Sequence, residues 1–162
     1  MKNRYSAIAL GLFAVLTLSA CGSDPALAKF KNEMDDFCTA ISEIDTSINN
    51  IDATSENATT ALLGYLDDLE NEFEEFSNLD FPVDFDYLEP LADESFDYMT
   101  EAVSSYHAAY TGDSYNEALA EYAKQNYARA YKRIQIIISF LHGEEPEDVD
   151  LTTSTSEGPI IE

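Results

Sequence analysis

PALAKFKNEMDDFCTAISEIDTSINNI, residues 25–51, decides the fold. Its large apolar residues are Leu27, Phe30, Met34, Phe37, Ile41, Ile44, Ile48 and Ile51, separated by alternating steps of three and four. That is the heptad of an amphipathic helix with one continuous apolar seam. Asp24 offers a cap, and Pro25 stands at the first helical position, where its missing amide costs nothing. Ala53-Thr54-Ser55 ends the pattern and offers a cap to a second helix.

Three further helices are predicted downstream. The second runs from about Glu56 to Ser77, with Leu62, Tyr65, Leu66, Leu69, Phe73 and Phe76 on one stripe and six acids opposite. Asn78 to Asp86, with Pro82 inside, reads as a connection. The third helix carries Leu88, Ala92, Phe96, Met99, Val103, Tyr106 and Tyr110, and Pro90 falls in its first turn. Thr111-Gly112-Asp113 is a break. Ser114-Tyr115-Asn116-Glu117 fits a capping box for the fourth helix, in which Leu119, Tyr122, Ala123, Tyr127, Ala130, Ile134, Ile137, Ile138 and Leu141 form the stripe. His142-Gly143 stops it.

Long helices on short links favour an all-α fold, an up-down-up-down four-helix bundle over residues 25–143. The alternative is a three-helix bundle in which the short second helix packs apart or the first pairs with another chain. A seam this regular also suits a dimerising coiled coil, so the sequence leaves the oligomeric state open. Residues 144–162 hold seven acids and no base and are expected to be a disordered tail.

The N-terminus reads as an address. Lys2 and Arg4 precede a twelve-residue apolar run, Ala7 to Leu18, too short for a membrane span. Leu18-Ser19-Ala20-Cys21 comes next and resembles the lipobox of bacterial lipoproteins. The resemblance covers residues 1–21 and implies that residues 1–20 are a cleaved signal peptide. It further implies that Cys21 becomes the lipidated N-terminus, residues 21–24 a short tether, and the chain a lipid-anchored protein on the extracytoplasmic face of the cell membrane. Ordinary secretion, with cleavage after Ala20, would leave Cys21 a free thiol.

Charge excludes one class of partner. The chain has 32 acids against 8 bases, a formal charge of -24, and no clustered cations for nucleic acid. Without residues 1–20 the balance is 32 against 6, or -26. From Asn32 to Ala123, 24 acids occur without one Lys or Arg. That stretch reads as a solvated exterior or as a surface for cations or a basic protein partner. Five of the six remaining bases, Lys29, Lys31, Arg129, Lys132 and Arg133, are expected toward the anchored end. There they would either pair with the acids ending the second helix or lessen repulsion from anionic headgroups.

Chemistry-bearing patterns are sparse. Asp80, Asp84 and Asp86 lie together but fail the EF-hand pattern, since Leu88 and Glu89 stand where a ligand and a glycine belong. His107 and His142 lack a glutamate three residues earlier, the di-iron bundle spacing. Cys38 sits beside the first seam among acids and reads as a small filler. Eight of ten tyrosines fall between Tyr87 and Tyr131. Tyr106, His107, Tyr110 and Tyr115 gather near the break before the fourth helix, as a partner-facing patch or as a core edge with wet hydroxyls. No catalytic residue, resident metal or cofactor is expected. The expected role is a non-catalytic binding or accessory protein, with cation binding or buffering as the alternative and an enzyme built on scattered carboxylates as the third reading.

Overall fold

The structure, a computed structural model, describes residues 25–111 and 114–144. These residues are all-helical, with no strand among them: α1 (Pro25–Asn49), α2 (Ala58–Ser77), α3 (Glu89–Thr111) and α4 (Glu117–Leu141). A 3-10 segment, Val83–Leu88, leads into α3. The signal segment, Cys21 with its tether, Gly112, Asp113 and residues 145–162 lie outside the described residues.

All four helices feed one core. α3 and α4 share the most extensive contact, followed by α2 with α3 and α1 with α2. A row of rings runs through the interior. Phe30 meets Phe81 at 4.6 Å between centroids, Phe81 meets Phe76 at 6.1 Å, and Phe76 stacks on Phe37 at 4.4 Å. The row continues from Phe37 to Phe73 at 5.4 Å, to Tyr131 at 5.6 Å and to Tyr127 at 4.7 Å. Offset and edge-on rings at these separations add to the area they bury.

The seam of α1 is buried over only part of its length. Phe30, Met34, Phe37 and Ile41 are buried, whereas Leu27, Ile44, Ile48 and Ile51 are partly exposed. Leu62 and Leu63 of α2 and Leu119 of α4 are likewise only partly buried against the core. Ala58 is the buried residue of α2 before Leu66, and α4 contributes Ala120 and Ala123 before Asn126.

The links depart from expectation in three places. α2 begins at Ala58, two residues later than Glu56, because Asp52 closes a turn on itself. Its Oδ1 accepts from Thr54 N at 2.9 Å and from Thr54 Oγ1 at 2.7 Å. Asn57, at the N-cap of α2, makes no side-chain capping bond. The connection before α3 is half helical, since Pro82 opens a 3-10 turn in which Phe85 N donates to the Pro82 carbonyl at 2.7 Å.

The third departure corrects the capping box. Asn116, not Ser114, caps α4, its Oδ1 accepting from Leu119 N at 3.1 Å. Glu117 is then the first helical residue, too early to reach back to the cap amide. The other end of α4 is as expected. Gly143 takes φ 74°, its amide donates to Phe140 O, and the Glu144 amide donates to Ser139 O, each at 2.9 Å. This is the Schellman arrangement, and glycine adopts it without a Cβ penalty.

The basic residues also pair differently from expectation. Arg133 Nε donates to Glu94 Oε2 at 2.6 Å, and Arg129 and Arg133 both lie over the Tyr98 ring, at 5.7 and 5.3 Å. Lys29 pairs within its own helix with Glu33. Glu94 and Tyr98 belong to α3, the helix α4 packs against most, so the arginines meet α3 rather than the acids ending α2.

Candidate functional site

The tyrosine group near the α3–α4 turn divides. Tyr106 is buried on α3, and burial, followed by Tyr110, Tyr115 and Glu121, holds its hydroxyl far above the ordinary phenol range. Tyr110 is half-buried and Tyr115 exposed, and their rings meet at 5.1 Å and 54°. His107 belongs to another side of α3, with Nε2 2.7 Å from Asp67 Oδ1 on α2. The structure therefore brings three of the four residues together, and the surface part is the Tyr110–Tyr115 pair. Glu117 and Glu121 begin the helix beside it, so any group recognised there meets aromatic faces within an acidic field.

Asp80, Asp84 and Asp86 are exposed around the 3-10 segment. Among the described residues, no group of three or more His, Cys, Asp or Glu side chains is placed to hold a metal ion. Cys38 is half-buried, and burial, aided by Asp35, pushes its thiol up to about 11. A thiol of that kind stays protonated at neutral pH and is a poor nucleophile.

A polar cluster between α1 and α4 was not foreseen. Tyr127 Oη lies 2.6 Å from Asp45 Oδ1, Tyr131 Oη lies 3.1 Å from Asp45 Oδ2, and the two hydroxyls are 3.0 Å apart. Three oxygen contacts close a ring. With Asp45 ionised, two phenol protons serve three contacts; a protonated carboxyl supplies the third. Burial raises the pKa of Asp45, while the hydrogen bonds from Tyr127 and Tyr131 pull it down. Burial drives both phenols far above their usual range, and the Asp45 charge adds to that. They act here as neutral donors.

The signal for this cluster was present but weak. Tyr127 and Tyr131 stand four apart on one side of α4, as helical neighbours do. Asp45, however, sits among the many acids of α1 with nothing local to mark it as turned inward. A second buried polar residue, Asn126, accepts from Arg129 Nη1 at 3.0 Å through Oδ1. Its Nδ2 has no hydrogen-bond partner among the described residues.

Together these features define a small all-α protein with an acidic exterior, a surface tyrosine pair and an internal carboxyl–phenol ring. No protein-family model matches the chain, and neither a curated protein nor a solved structure matches it. Among the described residues, no helix is long and apolar enough to cross a membrane.

Proposed function

We propose that this protein is a lipid-anchored lipoprotein of the extracytoplasmic membrane face, a non-catalytic binding or accessory protein. It presents an acidic, tyrosine-bearing surface to a basic partner. The observation that carries the reading is Leu18-Ser19-Ala20-Cys21 directly after a basic start and a short apolar run, with Pro25 opening α1 four residues later. Cys21 carries the lipid, and residues 1–20 are removed.

The helices run up-down-up-down in this reading. Supporting it, Asn116 N donates to Ala109 O at one end of the α3–α4 pair, and Arg133 reaches Glu94 further along. Such reversed pairing is the mark of neighbours joined by a short turn. The start of α1 then faces the membrane, and the turn bearing Tyr110 and Tyr115 points away from it. Presentation of a patch, rather than chemistry, suits a molecule in which burial holds the Cys38 thiol and the Tyr127 and Tyr131 phenols protonated.

Replacing the lipidated residue tests the anchor. Cys21→Ala abolishes labelling by a radioactive fatty acid and releases the protein from the membrane fraction. A variant that stayed membrane-bound would overturn the reading. Crosslinking in intact cells, with Tyr110→Ala and Tyr115→Ala as comparators, identifies the partner by its loss from the variants.

A further inference from the structure

Three large apolar side chains stand out as exposed among the described residues: Val83 at 86%, Tyr87 at 56% and Tyr115 at 38%. Two of these share the 3-10 segment. Single exposed hydrophobic residues are ordinary, but these two project from a firmly seated support. Phe81, Pro82 and Leu88 are buried on either side, and Phe85 is half-buried between them. The Tyr87 ring stands edge-on to Phe140 at 5.8 Å and 89°. The segment is thus pinned with Val83 and Tyr87 outward.

Its position in the molecule is fixed by ring contacts. Phe81, two residues before Val83, packs on Phe30 in the second turn of α1. Phe140 is the penultimate residue of α4. The tip therefore shares an end of the protein with the start of α1. Only three residues separate Cys21 from Pro25, and the four chain steps between them reach about 14 Å when fully extended. A lipid on Cys21 holds this end within that distance of the headgroups.

We infer that Val83 and Tyr87 are the point at which the folded domain touches the bilayer that holds its anchor, an inference that rests on the lipid-anchored reading. The partner is a zwitterionic lipid interface, and the chemistry of the segment says why. A tyrosine with an apolar ring and a polar tip suits the headgroup layer. Headgroup ammonium groups are attracted both to its ring and to the neighbouring acids. Asp80, Asp84, Asp86 and Glu89, all exposed around the tip, bar deep insertion and repel anionic lipid. The contact is shallow, and it fixes which way the domain stands on its tether.

The chain has no tryptophan, so a single one reports its own surroundings. Tyr87→Trp and Tyr115→Trp, each in the full lipidated protein, are reconstituted in phosphatidylcholine vesicles carrying bromine near the glycerol end of the acyl chains. Both positions are exposed, and circular dichroism checks that the helices persist. Relative to lipid-free protein carrying Cys21→Ala, the Tyr87→Trp emission shifts to the blue and loses intensity, while that of Tyr115→Trp does neither. Equal quenching at both positions, or none at either, in protein that still floats with the vesicles overturns the inference and leaves the anchor standing. Protein that fails to float overturns the anchor and the inference with it. A blue shift of lipid-free Tyr87→Trp that grows with protein concentration assigns the tip to a second copy instead of lipid.

Discussion

The two halves of α1 carry the same heptad and meet different fates. From Phe30 to Ile41 the seam is sealed by phenylalanines of α2 and the connection, Phe73, Phe76 and Phe81. From Ile44 to Ile51 it remains partly open, and Asp45 turns inward to two tyrosines of α4. Periodicity states which residues of a helix share a side; how dry that side becomes is decided by what packs against it.

The sharpest way to break this contrast is to truncate one residue in each half. Phe37→Ala removes a ring stacked on Phe76 and is expected to cost about 3–5 kcal/mol in urea denaturation. Ile48→Ala, at a partly exposed position, is expected to cost about 1 kcal/mol, below the usual range for a buried isoleucine. Comparable losses at the two sites would mean that the Ile44–Ile51 end is covered in solution. The readout is the denaturation midpoint, together with its dependence on protein concentration.

A middle-sized effect separates pattern from geometry at the start of α4. Asn116→Ala deletes the acceptor for Leu119 N and is expected to cost about 1 kcal/mol. Ser114→Ala is expected to stay within about 0.5 kcal/mol, as surface changes usually do. Thermal melting of the two variants checks the order, and the reverse order would restore the capping box.

The smallest effect belongs to Asp45 and carries a sign that depends on pH. Burial raises its folded pKa above the unfolded value, so its contribution is full below the unfolded pKa and is lost as pH rises through the folded one. At neutral pH the ionised carboxylate therefore sits in a less favourable place than it does unfolded. Asp45→Asn supplies a third hydrogen for the ring without a charge. It is expected to be slightly more stable than the parent at neutral pH, with the advantage shrinking as pH falls to about 4. Urea midpoints across that range test it, and an advantage that grew towards acid would refute the ring.

Much of the helical framework was legible because its apolar steps are long and regular. Phe30, Met34, Phe37 and Ile41 could be read as one side of a helix from spacing alone, and Gly143 as the stop of α4. The 3-10 segment was not legible. Val83, Phe85, Tyr87 and Leu88 obey no 3.6-residue period, and Pro82 signals a break without saying what structure succeeds it. The cap of α4 was ambiguous for a related reason, since Ser114 and Asn116 are both good caps and only the backbone path chooses. Of the tyrosine group, Tyr106 and Tyr110 were both readable as members of the α3 stripe, and spacing alone did not say that the first is buried and the second half-buried. The pairing of His107 with Asp67 depends on how α2 and α3 rotate against each other, which no local pattern encodes.

The glycine turn after α4 has a consequence for where this domain can be cut. Its two capping bonds are donated by the amides of Gly143 and Glu144, back to Phe140 and Ser139. Every described polar tie of that terminus is complete once residue 144 has been made. A chain shortened to Glu144 keeps both bonds, whereas one shortened to His142 loses both and leaves the last carbonyls of α4 to water. The cap of α4 thus closes at a single peptide, the one that joins Gly143 to Glu144.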